Sequence, residues 1–304
     1  MRGYAYASAP MGKSREIKKR MKAVGNIRRI TKTMQMIATS KFARAQQRAV
    51  ASKPYTNAMF DLVGKLASAA GDVSHPLIDA KPGADAKALT LVITSDRGLC
   101  GPYNGSILRK MMEHFRAAAE ARDGVIELVG KKGLATLKFN KINVATHHTH
   151  FGDKPSYEDV EKLAQTYIDR FSNGEISSVK VVYMRFISVG KQAPEVKQLL
   201  PFVAEEAPKA AQGETKEQAL PFEFSPSPKE LMDTLLPAAL KAALFQCFND
   251  AIVSEHVARM VAMKAATDNA GKMGKRLSRA YNRARQAQIT TELTEIISGA
   301  AALG

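Results

Sequence analysis

Two glycine-containing motifs have residue types that bind phosphate groups. Gly12–Ser14 reads Gly-Lys-Ser, the end of a P-loop, but the earlier glycine of that loop would fall at Ala7 and no strand precedes it. Gly98–Gly105 holds three glycines after an expected strand, where a doubly wound sheet binds a dinucleotide, yet their spacing departs from the usual fingerprint. We therefore expect no nucleotide at either motif, and a tight strand-to-helix turn at 98–105.

Three further groups carry reactive side chains. Cys100 lies in the same turn, but no histidine stands near it in sequence to activate a thiolate, so we predict a small, partly buried thiol. His147, His148 and His150 form the only histidine cluster, without the further carboxylate or thiolate that metal sites usually contain. We predict a surface strand or loop end there, and a turn salt bridge within Asp96–Arg97. The residues alone indicate no active site, cofactor or metal.

The composition is that of a folded protein with an unusual charge. The chain has 304 residues, a formal net charge of +16 and two cysteines, Cys100 and Cys247, far apart in sequence. Its length allows a substantial core, and so few cysteines predict a reducing compartment. No apolar run is long enough to predict a membrane span, and the first ten residues lack a secretory signal. The charge alone suggests binding to nucleic acid or an anionic surface.

Most of this charge lies on one predicted helix. Residues 13–53 contain thirteen Lys or Arg and the single acid Glu16, so they carry +12 of the +16. Apolar or small residues recur there about every 3.6 positions, which predicts a long amphipathic helix from Ser14 to Ala70. The residues of this apolar face are Ile17, Met21, Val24, Ile27, Ile30, Met34, Ala38, Phe42, Ala45 and Ala49.

The other end of the chain predicts a second long helix, over Ser227–Ala302, with Pro237 near its start where proline is tolerated. Its recurring apolar and small residues are Leu236, Ala239, Ala243, Ile252, Val261, Ala265, Met273, Leu277 and Ala284. Two helices with narrow apolar stripes predict an antiparallel coiled coil. The small seam residues expected to allow close approach are Ala265, Ala270, Ala280 and Ala284.

Between these helices, short β-branched runs alternate with helical segments, which is typical of a parallel sheet built from βαβ units. The predicted strands are Leu89–Thr94, Val125–Val129, Ile142–Ala145 and Val179–Met184, and the predicted helices are Ser106–Arg122, Gly133–Lys138 and Tyr157–Phe171. A linker rich in Pro, Ala and Glu follows at 204–226. We predict a Rossmann-like α/β domain with a parallel sheet, inserted in a long antiparallel two-helix coiled coil. The predicted boundaries are 12–75, 85–203, 204–226 and 227–304.

Five sequence blocks, in order along nearly the whole chain, resemble the gamma subunit of bacterial-type F-type ATP synthases. They are Arg20–Met34 with Ser40–Lys41, Ser95–Gly101, Ser254–Asn269, Asn282–Ala287 and Ile289–Ala302. The last block is similar to the C-terminal signature of the family. Its matching residues are Ile289, Thr290, Glu292, Glu295, Gly299 and Ala300.

The resemblance implies a central-stalk rotor subunit with no catalytic activity of its own. The coiled coil would turn inside a ring of three alpha and three beta subunits, one copy per complex. It would couple rotation of the proton-driven membrane c-ring to conformational cycling of beta, and so to ATP synthesis or hydrolysis. The α/β domain would be the foot, seated with the epsilon subunit on the c-ring. The implied location is peripheral, at the cytoplasmic face of the bacterial inner membrane rather than the mitochondrial matrix side.

The resemblance also implies contact residues for beta. Arg285 and Gln286 match the pair that hydrogen-bonds to a catch loop of beta, and Met34 matches the position that faces an acidic lever segment of beta. The cations around Met34 are Arg28, Arg29 and Lys32. A simple seam position remains the alternative for Met34, and a solvated charge the alternative for Arg285.

Two departures from the family pattern concern the ends of the long helices. Phe224–Pro226 has Ser225 where many bacterial members carry an acid near the c-ring, so that contact is in doubt, and residues 1–11 extend beyond the usual start. The linker lacks the cysteine pair of the chloroplast members, so we expect no thiol switch. Two other functions stay open on the residues alone: a basic helix that coats nucleic acid, and an enzyme with a dinucleotide at 98–105.

Overall fold

The computed structural model describes residues 11–69, 75–79, 82–83, 85–202 and 227–303, and it divides the chain into two compact units. The coiled-coil unit comprises 11–38 and 260–303, and the α/β unit comprises the described residues of 39–259. The predicted linker at 204–226, with Phe224–Pro226, and residues 1–10 lie outside the described residues. The elements are α1 (Met11–Ala69), β1 (Lys87–Ile93), α2 (Tyr103–Ala117), α3 (Ala119–Arg122), β2 (Val125–Val129), α4 (Lys132–Phe139), β3 (Thr146–His148), α5 (Tyr157–Ser172), β4 (Ile176–Ser188), β5 (Lys191–Leu200) and α6 (Pro228–Leu303).

Both predicted terminal helices are confirmed within a few residues of their predicted ends. Proline at Pro54 and Pro237 interrupts neither α1 nor α6. One stretch within Lys229–Ala302 is apolar and long enough to cross a membrane by composition, but half of it is buried within the protein, as in many core helices. The apolar character of α6 is therefore explained by packing.

The coiled-coil unit has a seam with alternating steps of three and four residues. On α1 its buried or half-buried positions are Ile17, Met21, Val24, Thr31, Gln35 and Ala38. On α6 they are Met263, Thr267, Ala270, Gly274, Leu277, Tyr281, Ala284 and Gln288. A repeat of seven residues in two turns is the mark of a left-handed coiled coil. The helices run antiparallel, because Ser14 bonds to Gln288 at 3.0 Å while the hydroxyl oxygens of Thr31 and Thr267 lie 2.8 Å apart.

Part of the predicted seam is wrong. Ile27, Ile30 and Met34 are 52%, 56% and 38% exposed, and the seam passes through the polar residues Thr31 and Gln35 instead. On α6 the predicted seam residues Val261, Ala265, Met273 and Ala280 are exposed, whereas Ala270 is buried and Ala284 half-buried. The sequence prediction used an apolar repeat of 3.6 residues, which stays on one face of a straight helix. Supercoiled helices instead meet along a repeat of 3.5 residues, so the predicted positions drift away from the seam.

The α/β unit contains a five-stranded sheet in the order β3-β2-β1-β4-β5. The first four strands are parallel, joined by helical crossovers, and β5 pairs antiparallel with β4. The predicted sheet was wholly parallel, so β5 was missed. Its sequence holds Pro194, which lacks a backbone donor and argues against a central strand, but β5 is an edge strand, where proline is tolerated.

Two other predicted elements need correction. Ile142–Ala145 is not a strand: the Ile142 amide bonds to the Leu137 carbonyl, and the residues that pair with β2 are Thr146–His148. Half-buried Ile142 and Val144 instead pack on the core beneath α2 and α4, which accounts for their apolar character. The helix predicted over Ser106–Arg122 begins earlier and is divided at Ala118, whose backbone is extended.

Each face of the sheet has its own core. One face packs against α5 and against the parts of α1 and α6 that lie in this unit, with Leu89, Tyr167 and Phe248 fully buried. The other face packs against α2 and α4, with Ile107 and Leu137 fully buried. Every residue of β1 after the exposed Lys87 is buried, and all of these except Thr90 are apolar, without alternation, as expected of a central parallel strand.

Candidate subunit-contact surface

An exposed face of α1 in the coiled-coil unit combines cations with apolar side chains. Arg28, Arg29 and Lys32 are exposed, and none forms an ion pair within the described part of the chain. The acid of this segment, Glu16, forms an ion pair with Arg20, one helical turn further along α1, at 2.5 Å. Glu16 therefore does not compensate the charges of Arg28, Arg29 and Lys32. Arg28 also lies along the seam, 3.6 Å from where a side chain on Gly271 would begin. The charge of this face is therefore available to another molecule.

Next to these cations lies a second apolar stripe with the spacing of a coiled coil. Its members are Ile27, Ile30, Met34 and Ile37, and all four are exposed. The sequence counted three of them into the seam, but their spacing equally fits a stripe displaced from the seam by one residue. An exposed apolar stripe beside unpaired arginines has the composition of a protein-binding surface.

The end of α6 forms a separate exposed surface. Arg285 and Gln286 are exposed, and they lie about 20 Å along the helix from Gly271, the residue beside Arg28. Beyond Gln288 every side chain that the structure describes is exposed, including the large apolar residues Ile289, Leu293, Ile296 and Ile297. Four apolar side chains on one exposed helix end indicate a surface that another protein covers.

The signature residues at this end bond only within α6. The Thr290 hydroxyl donates to the Gln286 carbonyl at 3.0 Å, and Gln288 donates to the Glu292 carboxylate at 2.8 Å. Ile289, Glu295, Gly299 and Ala300 are exposed. The predicted contact residues thus lie on two separate areas, Arg28–Met34 on α1 and Arg285–Gln286 on α6, and the signature residues follow the second of these along α6.

The turn that could have bound a dinucleotide is covered by α6. In a doubly wound sheet the ligand crevice lies beyond the carboxyl ends of the strands where the strand order reverses, here between β1 and β4. The Ser254 hydroxyl donates to the Met184 carbonyl of β4 at 3.3 Å, and the Tyr103 hydroxyl donates to the Ala251 carbonyl at 3.0 Å. Arg259 donates to the carbonyl oxygens of Arg97 and Gly98. The same chain fills this crevice.

Other residues of this turn have structural partners. Cys100 is buried, more completely than the partly buried thiol that was predicted, and its sulfur lies 3.3 Å from the Asn104 amide nitrogen. The predicted salt bridge between Asp96 and Arg97 does not form. Asp96 accepts a bond from the Lys131 amide, and Arg97 lies 3.8 Å from the Asp153 carboxylate. Adjacent residues at a turn project in different directions, so each reaches a different element. Of Gly12–Ser14, the structure describes only the side chain of Ser14.

The histidine cluster is divided between different partners. His147 Nε2 lies 2.9 Å from the Gly130 carbonyl, while His148 Nε2 lies 2.9 Å from the Glu127 carboxylate. Glu127 is buried and also accepts a bond from the Tyr167 hydroxyl at 2.8 Å. Burial raises the pKa of Glu127, but the bonds from His148 and Tyr167 outweigh it and leave this pKa lowered. In the described residues no group of His, Cys, Asp or Glu has the arrangement of a metal site.

A buried histidine network in the α/β unit was not predicted. His256 is almost fully buried, and burial lowers its pKa to about 4, with the positive charges of Arg259, Lys41 and Arg48 adding to the effect. The neighbouring Asp153 carboxylate pairs with Lys41 at 2.5 Å. The basic segment 13–53 therefore contains at least one cation that has a structural role, and the sequence pattern cannot distinguish Lys41 from the unpaired cations of 28–32.

Comparisons with known proteins decide the family. A family model described as ATP synthase matches residues 13–303. The ATP synthase gamma chain of Rhodopirellula baltica is 43% identical over 296 residues, covering 96% of this chain and 99% of that protein. The gamma chain of Leptospira biflexa is 37% identical over 294 residues, covering 96% and 100%. The chain belongs to the ATP synthase gamma-chain family.

Solved structures agree with the gamma-chain fold. A chain in the Euglena gracilis mitochondrial ATP synthase, in a structure of OSCP, F1 and c-ring, has a TM-score of 0.65 at 21% identity, covering 96% of this chain and 95% of that one. A chain in the rotor of the same enzyme has a TM-score of 0.59 at 20% identity, covering 91% and 99%. The predicted combination of a two-helix coiled coil and an inserted α/β domain is confirmed, with β5 as its antiparallel addition.

Proposed function

We propose that this gamma-chain family member is the central-stalk rotor subunit of a proton-translocating F-type ATP synthase. Its asymmetric coiled coil would couple rotation of the c-ring to the conformational cycle of the beta subunits, and so to ATP synthesis or hydrolysis. The observation that carries the proposal is an exposed basic and apolar coiled-coil surface on a chain that matches gamma chains from end to end. Three alpha subunits, three beta subunits, one epsilon subunit and the c-ring would be its partners.

The chain itself would be non-catalytic. The crevice in which a sheet of this topology binds nucleotides is filled by α6, whose Ser254 and Arg259 side chains donate to backbone carbonyls around it. ATP would be made or hydrolysed on beta. Since the similar gamma chains are those of bacteria, we place the complex peripherally on the cytoplasmic face of a bacterial inner membrane.

The two exposed areas would contact beta at different levels. Arg285 and Gln286 would hydrogen-bond to a loop of beta, and the face formed by Arg28, Arg29, Lys32 and Met34 would meet an acidic segment of beta. Unpaired cations steer an acidic partner and set its approach without a fixed side-chain geometry. The apolar stripe beside them would supply the buried contact area.

The proposed division of labour follows the boundaries 12–75, 85–203, 204–226 and 227–304. The two helical segments would form the shaft and 85–203 the foot on the c-ring. In support of this division, the five strands that the structure describes lie within 87–200. A separate foot of this kind would seat the shaft without entering the ring of alpha and beta.

Reconstitution tests this function. The chain is mixed with alpha and beta, and ATPase activity of the purified complex is measured. We expect no ATPase from the chain alone and activity only in the complex. Intrinsic ATP turnover by the chain alone would contradict the non-catalytic role, and failure to co-purify with alpha and beta would contradict the rotor assignment.

A charge-neutralised variant tests the contact surface on α1. Arg28→Gln, Arg29→Gln and Lys32→Gln together should raise the concentration needed for half-maximal assembly by about 3- to 150-fold, since exposed charge pairs contribute roughly 0.2–1 kcal/mol each. The matched control replaces three exposed lysines earlier on the same helix, Lys18, Lys19 and Lys22. Lys41 is left intact because it pairs with Asp153. Equal effects of both triple variants would show that only net charge matters.

The same assay tests the upper contact. Arg285→Ala with Gln286→Ala should lower ATPase of the complex, while Arg283→Ala, an exposed arginine on the same helix, should leave it unchanged. Unchanged activity in the double variant would remove this contact from the proposal and leave the family assignment in place.

A further inference from the structure

A groove between α2 and α4 has no part in the contacts discussed so far. It lies in the α/β unit and encloses about 650 Å³. Leu108 and Met112 of α2 line it, and Thr136 of α4 lies on its other side. Leu108 is nearly buried and Met112 half-buried, so the floor is apolar and continuous with the core beneath.

The rim of this groove is basic. Arg109, Arg116 and Lys132 are exposed, and none of the three forms an ion pair with a residue that the structure describes. The one acid among the residues that line the groove, Glu113, forms an ion pair with Lys110 at 3.4 Å. Unpaired cations around an apolar floor complement a partner that is acidic and amphipathic.

The spacing of the cations decides between a small anion and a longer partner. Arg109 and Arg116 are seven residues apart on one face of α2, which places their Cα atoms about 10 Å apart along the helix. Lys132 is on the opposite wall, with its side chain 3.6 Å from where a side chain on Gly98 would begin. The two arginine positions flank Glu113, which lies on the same face of α2 and disfavours a single small anion between them. The two arginines match carboxylates that are themselves two helical turns apart.

We propose that this groove binds an acidic amphipathic helix of a protein partner. Apolar side chains of that helix would contact Leu108 and Met112, and carboxylates seven residues apart would pair with Arg109 and Arg116. A further carboxylate on its opposite flank would reach Lys132. This mode uses the facing ridges of α2 and α4 as the two walls of a helix-binding groove.

A peptide titration with the full chain tests the proposal. The probe is a fluorescent helical peptide of about four turns, with glutamate at every seventh position of one face and leucines beside them. Its matched control has glutamine in place of each glutamate. Binding is followed by fluorescence anisotropy at two salt concentrations. We expect the glutamate peptide to bind at least about tenfold more tightly at low salt, and this difference to shrink as salt rises.

Paired variants locate the binding. Arg109→Glu with Arg116→Glu should weaken the glutamate peptide at least about tenfold, since two attractive pairs become repulsive. The control pair Lys138→Glu with Lys162→Glu changes the net charge equally at exposed positions outside the groove and should leave affinity within about twofold. Thermal melts followed by circular dichroism confirm that both variants are folded.

Three results would overturn the proposal. Equal binding of the glutamate and glutamine peptides would show that the groove does not select acidic partners. Loss of binding in Arg28→Gln, Arg29→Gln, Lys32→Gln but not in the groove variant would place the peptide on α1. No binding at any salt concentration would show that the groove does not accept a helix. The proposed rotor function is tested separately, by assembly with alpha and beta, so none of these three results would contradict it.

Discussion

The two halves of α6 differ in how completely the chain itself covers them. In the α/β unit, Ala251–Val257 is a run of seven buried residues, enclosed on all sides by the sheet and the neighbouring helices. In the coiled-coil unit, the buried residues of α6 are Met263, Thr267 and Ala270, the later seam positions up to Gln288 are half-buried, and from Ile289 onward every side chain that the structure describes is exposed. The α/β unit therefore obtains its stability from its own core. The coiled-coil unit keeps most of its surface, including apolar stripes, for other molecules.

The largest difference between the two halves of α6 is expected in the free energy of unfolding when an apolar side chain is removed. Phe248→Ala should lower the free energy of unfolding of the α/β unit by about 3–5 kcal/mol, because the Phe248 ring is buried and packs 4.7 Å from the Phe151 ring. Val261→Ala, on the same helix but exposed, should change it by less than about 0.5 kcal/mol. Urea unfolding measures both. A large effect of Val261→Ala would contradict the coverage described for this half of α6.

Low pH should destabilise the α/β unit through its histidines. All six histidines lie within 39–259, and the pKa of His256 is lowered to about 4 by burial. The unfolded chain therefore takes up a proton near pH 6.5 while the folded chain does not, so stability falls as pH drops below 6.5. The loss from this group should reach about 3 kcal/mol by pH 4.

The variant His256→Gln isolates this effect. Its free energy of unfolding, measured by urea titration at several pH values, should lack the part of the slope between pH 6.5 and 4 that His256 contributes. The ion pair of Asp153 with Lys41, and the Arg259 and Arg48 cations around His256, are retained in this variant. Parallel pH profiles for the two proteins would show that His256 is not the group responsible.

Overpacking should distinguish the seam from the surface in the coiled-coil unit. Ala270→Leu places a larger side chain at a buried seam position and should destabilise this unit by about 1–3 kcal/mol. Ala265→Leu, at a position that the sequence assigned to the seam but that is exposed, should change its stability by less than about 0.5 kcal/mol. Amide hydrogen exchange in residues 260–288 measures both variants. The opposite ranking would restore the seam predicted from the sequence.

The sequence predicted what depends on local pattern and missed what depends on pairing across the fold. Val125–Val129 was predicted to the residue because a β-branched run between turns is a local signal. β5 was missed because its tolerance of Pro194 depends on being at the edge of the sheet, which no local pattern reports. Ile27 was wrongly assigned to the seam because α1 has apolar residues both in the seam and in an exposed stripe, and composition does not say which of them contact α6.

The candidate site was predicted by resemblance rather than by chemistry. Arg285 and Gln286 have no unusual burial or partner that would single them out. The uncompensated charge of Arg28, Arg29 and Lys32 was visible in the sequence, but Lys41 had the same appearance and is paired. The buried His256 and the groove between α2 and α4 arise from distant segments brought together by the fold. Each requires coordinates before it can be recognised.

The pairing of Thr31 with Thr267 and of Ser14 with Gln288 limits how the length of this protein can change. Facing seam residues have numbers that add to about 300, so each position on α1 is matched to one on α6. One inserted residue in either helix would turn everything beyond it by about 100° and move polar side chains into the seam. Insertions and deletions should therefore be tolerated in this coiled coil only as matched blocks of about seven residues in both helices, at facing points.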